Sequence, residues 1–159
     1  KNLLSKIDIF PQSIHPIPTE NDDPDKDAQK YEQMIREFFL QRGISFPCFD
    51  LVLLGVGKDG HTASLFPGDP ALQEKRRWVA PVLAPADYSL RKRITLTLPA
   101  INSAANVIFI VSGSEKKMAV KAILEDTARA ESFYPASMVR PAGKMIWFVD
   151  EKTCQLNIT

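Results

Sequence analysis

Apolar residues recur along this chain in two rhythms, and together they predict an alternation of helices and strands. Ala28, Tyr31, Met34, Ile35 and Phe38 keep helical spacing behind Asp23-Pro24, a cap residue followed by proline at the first helical position. Gly43 stands where such a run ends. Residues 51–54 (LVLL) and 106–111 (NVIFIV) are short apolar runs and read as strands covered on both faces. Residues 93–98 (RITLTL) alternate Ile94, Leu96 and Leu98 with Thr95 and Thr97, which predicts a half-buried strand with its aliphatic side inward. Residues 78–83 and 145–149 add two more strands, the first placed near an edge by Pro81 and Pro85.

Helical pattern returns at 99–105, at 114–126 with Met118, Ala119, Ala122 and Ile123 on its apolar side, and as a turn at 135–139. Asp69-Pro70 opens a short turn, and Asp150 is placed to cap a last helix. Residues 1–7 read as the tail of a helix through Leu3, Leu4 and Ile7, and 10–20 as a proline-rich connector. The order predicts an α/β fold with a mostly parallel sheet flanked by helices.

Composition narrows the classes. The chain has 159 residues, 45% hydrophobic and 25% charged, which suits one globular domain. A net charge of +1 argues against a nucleic-acid or membrane surface as the partner, and no apolar run has membrane-spanning length. Cys48 and Cys154 have neither zinc nor disulfide spacing; buried free thiols in a reducing compartment are expected. Asp22, Asp23, Asp25 and Asp27 crowd a helix start, where they complement the dipole rather than bind metal. No cofactor or metal is expected. The chain opens at Lys1 on an uncapped pattern, so further residues are expected upstream.

Candidate chemistry concentrates in residues 50–68, DLVLLGVGKDGHTASLFPG. Gly55, Gly57 and Gly60 let the chain turn sharply and expose amides after a strand, with Asp59 and His61 at the rim. Gly55-x-Gly57-x-x-Gly60 matches the dinucleotide fingerprint, which requires a long helix and an acid about twenty residues on. Pro67-Gly68 interrupts any such helix, and Ala80-Pro81-Val82 holds no acid. A purely structural turn explains each residue singly but not an imidazole, a carboxylate and free amides together. Those groups fit water activation by His61, orientation by Asp59 of the ring or of a sugar hydroxyl, and an anion or oxyanion on the amides. Hydrolysis or proton transfer on a small polar substrate follows.

Residues 50–68 resemble the signature of the 6-phosphogluconolactonases. RITLTLPAIN (93–102), SGSEKKMAV (112–120), PASMVRPAGKMIWFVDE (135–151) and LLSKIDIFPQSIHPI (3–17) extend the likeness over nearly the whole chain. The resemblance implies a Rossmann-like fold shared with sugar-phosphate isomerases. It also implies hydrolysis of 6-phospho-D-glucono-1,5-lactone to 6-phosphogluconate in the oxidative pentose phosphate pathway, without a cofactor and in the cytoplasm. His61 then corresponds to the base and Asp59 to its accompanying acid. Gly57, Lys58, Gly60, Arg93 and Lys116 correspond to the substrate-binding positions; solvated surface charges are the plain alternative for Arg93 and Lys116.

The family's domain begins with a further strand and a glycine/serine-rich phosphate loop, so residues 1–159 are expected to be the C-terminal portion of a single domain lacking its N-terminal strands. Glucosamine-6-phosphate deaminase/isomerases share Asp-Gly-His but place a Glu five positions after the His, where this chain has Phe66. An expectation of another class is a non-catalytic sugar-phosphate-binding fragment of a larger polypeptide. The pathway also implies fusion to, or association with, glucose-6-phosphate dehydrogenase.

Overall fold

A computed structural model describes residues 4–125 and 127–154. Strands β1 (Val52–Leu54), β4 (Asn106–Val111) and β5 (Lys144–Val149) form a parallel sheet in the order β1-β4-β5, with Val52 opposite Val107 and Val107 opposite Met145. Strands β2 (Val79–Leu83) and β3 (Lys92–Leu96) pair antiparallel as a separate hairpin. The parallel prediction thus holds for three of the five strands described. Loop 84–91 is too short for the crossover that a parallel neighbour requires, so β3 turns back on β2.

Helix α1 (Pro24–Leu40) starts as the sequence predicts: Asp23 accepts the Asp25 amide at 3.0 Å and Pro24 occupies the first turn. Its apolar side, Ala28, Ile35 and Phe39, packs with Trp78 and Val79 against the hairpin. Helix α2 (Leu98–Asn102) leads into β4, and α3 (Lys117–Glu125) and α4 (Thr127–Ala130) follow it. The predicted end of the third helix at Asp126 lies outside the described residues. The last helix, α5 (Glu151–Cys154), is capped by Asp150, as expected. Hydrogen bonds from Ser112 and then Thr153 hold the Asp150 carboxyl down at about 2.

Several expectations change. Leu54, Val107, Phe109 and Val111 are buried on one face of the parallel sheet, but on the other Leu53, Ile110 and Phe148 stand 54%, 57% and 58% exposed. The expected cover on both faces is not found: among the described residues only one face of the sheet has a cover. Of the aliphatic side expected over residues 93–98, only Leu98 is buried, at the start of α2; Thr95 and Thr97 are buried too, while Ile94 and Leu96 are half-buried beside α1. Backbone partners explain it. Thr95 Oγ1 donates to the Leu96 carbonyl and accepts the Ser64 amide, and Thr97 Oγ1 donates to the Arg77 carbonyl, so each threonine enters the core with its hydroxyl satisfied.

Both cysteines are exposed, not buried: Cys48 lies in an irregular segment and Cys154 on the last turn, neither inside a packed layer. Met118 is exposed, because Val120 turns inward with Ala119 and Ile123 instead. Of residues 1–7, Leu4–Lys6 form a single 3-10 turn with Leu4 and Ile7 exposed, and residues 1–3 lie outside the described part. Among the described residues no helix is long and apolar enough to cross a membrane.

One side chain joins α1 to the hairpin. Glu32 Oε2 accepts the amides of Trp78 and Val79 at 3.0 and 3.2 Å, and Oε1 pairs with Arg36, whose guanidinium lies 3.9 Å over the Trp78 ring. Glu32→Ala leaves two amides unpaired beside a buried indole, and stability falls by roughly 2–4 kcal/mol. Glu32→Gln, which retains an acceptor, loses less. Urea unfolding of both variants checks this, and a loss below about 1 kcal/mol for the alanine variant contradicts it.

Candidate active site

Parallel pairing sends β1 and β4 out of the sheet at the same end, so the loops that follow them face one another. The loop after β1 carries Gly55 to His61, and the turn after β4, Ser114–Lys116, carries Lys116. Between them lies an open cleft of about 650 Å³ lined by Leu54, Gly55, Gly57, His61, Ser64 and Lys116. Residues far apart in sequence thus share one wall.

The loop is tied by its own backbone. The Gly57 amide donates to the His61 carbonyl at 2.9 Å, the Gly60 amide to the Gly57 carbonyl at 3.0 Å, and buried Thr62 Oγ1 to the Gly55 carbonyl at 2.8 Å. The His61 amide is held by Asp59 Oδ1. The sequence argument offered these amides to an anion; in the structure the Gly57, Gly60 and His61 amides are committed within the turn, because closing so tight a bend consumes them. No α-helix follows the third glycine: residues 62–65 form a narrow turn with Ala63 at φ 50°, which removes the dinucleotide reading.

Asp59 and His61 form the centre. Asp59 Oδ1 lies 2.6 Å from His61 Nδ1, and a carboxylate only accepts, so Nδ1 carries the proton. In the neutral imidazole that arrangement puts the lone pair on Nε2, as a base requires. Its side chain retains 17% accessibility, enough to meet the cleft without being fully solvated. Phe66 is buried and lies tilted against the imidazole at 4.6 Å, and Tyr88 meets it edge-on at 5.8 Å with Oη 3.3 Å from Nδ1. Burial first, then the charges of Asp59 and Asp87, push the Tyr88 phenol above its ordinary value, so it stays protonated.

The remaining sequence-predicted residues divide. Lys116 and Gly57 line the same cleft as His61. Arg93 lines an adjoining cleft that has Ile17, Ser64 and Ile94 in common with the first. Its guanidinium lies 5.1 Å from the Tyr88 ring and 5.8 Å from Phe66, so it reaches the aromatic pair that bounds His61. Lys58 turns outward to Asp87 at 3.8 Å, an exposed pair of little energetic weight. Gly60 is buried, with φ at +75° and the Tyr134 ring packed where a Cβ would stand, so it shapes the bend from behind. Sequence reasoning did not single out Tyr88; it stands alone in a polar hairpin loop, and only the chain's return brings it to the imidazole. Among the described residues no group of three metal-ligating side chains converges.

Comparison with known proteins gives the family of the chain. The family described as glucosamine-6-phosphate isomerases/6-phosphogluconolactonase matches residues 1–147. The chain is 42% identical over 149 residues to a 6-phosphogluconolactonase of Synechocystis sp., covering 94% of this chain and 60% of the relative. It is 43% identical over 161 residues to the 6-phosphogluconolactonase of Homo sapiens, covering 98% of this chain and 58% of the relative. A solved 6-phosphogluconolactonase from Trypanosoma cruzi superposes with a TM-score of 0.74 at 34% identity, over 87% of this chain and 53% of that one. The chain therefore spans about three fifths of the length of the curated relatives it matches.

Proposed function

As this chain belongs to the glucosamine-6-phosphate isomerase/6-phosphogluconolactonase family, we propose that it carries the catalytic half of a 6-phosphogluconolactonase site. The reaction is hydrolysis of 6-phospho-D-glucono-1,5-lactone to 6-phosphogluconate. The observation that carries this reading is the 2.6 Å contact of Asp59 with Nδ1 of His61, a residue that lines the cleft: with the proton of the neutral imidazole on Nδ1, the lone pair is on Nε2. Nε2 takes a proton from water as the water oxygen bonds to the lactone carbonyl carbon. The ring ester C–O bond then breaks, and the imidazolium returns the proton to the departing ring oxygen. Asp59 holds the ring and stabilises its charged form. Lys116 and Arg93 are the cations available to a phosphate dianion, and Gly57 gives the imidazole its room.

Phe66 opposes the deaminase reading. It occupies the position where that chemistry needs a proton-transferring acid, and it is packed against His61. Residues 1–159 fit the C-terminal portion of one such domain, and the uncovered apolar face of the parallel sheet supports this. A cytoplasmic setting and association with glucose-6-phosphate dehydrogenase belong to the same proposal, as the step that supplies the lactone.

Purified protein is expected to release 6-phosphogluconate from the lactone and no ammonia from glucosamine 6-phosphate; ammonia at an enzymatic rate reverses the assignment. Arg93→Ala is expected to raise KM for the lactone by about 10-fold with kcat within about threefold, because a phosphate contact serves ground and transition states alike. An unchanged KM returns Arg93 to the solvated surface.

A further inference from the structure

Asp59 holds the His61 amide and, of the ring, only Nδ1, and a ring held at one atom can still swing. Tyr88 supplies two further constraints from the β2–β3 loop, its ring and its hydroxyl. Loop 84–91 closes on itself, with the Ala84 amide donating to the Arg91 carbonyl at 2.8 Å and the Tyr88 amide to the Pro85 carbonyl at 3.1 Å. This delivers the phenol edge-on to His61 at 81° and edge-on to Phe66 at 5.1 Å and 64°. Phe66 bears on the imidazole as well, at 37°. His61, Phe66 and Tyr88 therefore form a triangle of rings, each in contact with the other two. Arg93 lies 5.1 Å over the Tyr88 ring. None of the sequence blocks that carry the family likeness includes Tyr88.

We propose that Tyr88 is a positioning residue: the β2–β3 loop uses its ring and hydroxyl to hold the His61 imidazole with Nε2 turned to the cleft. The ring contacts stop the imidazole from swinging about its Cβ–Cγ bond. The hydroxyl, 3.3 Å from Nδ1, offers the Nδ1 proton a second acceptor beside Asp59, so the tautomer survives small movements of the ring. The consequence for turnover rests on the lactonase reading; the effect on the imidazole does not.

Two measurements separate them. Tyr88→Phe retains the ring and removes the hydroxyl; Tyr88→Ala removes both. Turnover of the lactone is expected to fall about 3- to 10-fold in the phenylalanine variant and about 30- to 100-fold in the alanine variant, with KM within about twofold. Imidazole nitrogen spectra of labelled protein are read in parallel. The chain has two histidines, so His15→Gln leaves His61 as the single signal. The Nδ1–H pattern is expected in the parent, with mixed tautomers in both variants and more so in the alanine one. Wild-type turnover in Tyr88→Phe, or an unaltered nitrogen pattern in it, overturns the proposal even if the alanine variant does not fold. A parent without lactonase activity but with the tautomer effect intact would instead sink the lactonase reading and leave the positioning role standing.

Discussion

His61→Ala is expected to lower kcat for the lactone by about 10³-fold, within the 10²- to 10⁴-fold range of a positioned general base, while the thermal midpoint and the circular dichroism stay at parent values. The retained fold follows from where the ring sits. It lies on the cleft wall, partly accessible, and the turn is closed by the Gly57 and Gly60 amides and the Thr62 hydroxyl, none of which needs the imidazole. KM is expected to move little, since the cations proposed for the phosphate are Lys116 and Arg93. A loss below about 10-fold would mean that Nε2 takes no proton in the rate-limiting step. The next candidate is then Asp59, and Asp59→Ala would carry the large loss by itself. In the present assignment Asp59→Asn is also damaging, because an amide can donate to Nδ1 and so move the imidazole proton to Nε2, the atom that must be free.

Much of this was legible before the structure. Asp23-Pro24, the run 106–111 and Asp150 each placed an element boundary, because a cap or an uninterrupted apolar run acts on its immediate neighbours. Asp59 and His61 were legible for a similar reason: they lie two residues apart on one tight bend, so spacing alone brings them together. What failed depended on partners far along the chain. Thr95 and Thr97 looked solvent-facing because their hydroxyl acceptors, at Leu96 and Arg77, are backbone atoms that no pattern of side chains announces. The antiparallel return of β3 followed from the length of loop 84–91, not from periodicity. That return is also what delivers Tyr88 to His61 across 27 positions of sequence. The glycines announced a sharp turn, and the turn is there, without a helix after it as Pro67-Gly68 implied; the amides expected to meet an anion close the bend instead.

Gly57→Ala tests whether that bend exists for the imidazole. A Cβ at position 57 would fall within contact distance of His61 Nδ1 and Cε1, and 2.7 Å from Asp59 Oδ1. Gly57 is not among the residues with positive φ, so alanine is conformationally admissible there, and its amide bond to the His61 carbonyl involves no side chain. What must yield is the ring. Displacing it by about 1 Å is expected to cost roughly 10²-fold in kcat, with only a small fall in the thermal midpoint. Gly60→Ala provides the contrast: with φ at +75° and the Tyr134 ring in the way, it strains the backbone and lowers stability first. Non-additivity makes the test decisive. In a His61→Ala background there is no ring to displace, so adding Gly57→Ala should cost almost nothing further in kcat. A second full 10²-fold loss in the double variant would show that Gly57 serves the substrate directly, and the bend would then have to be read as a binding element in its own right.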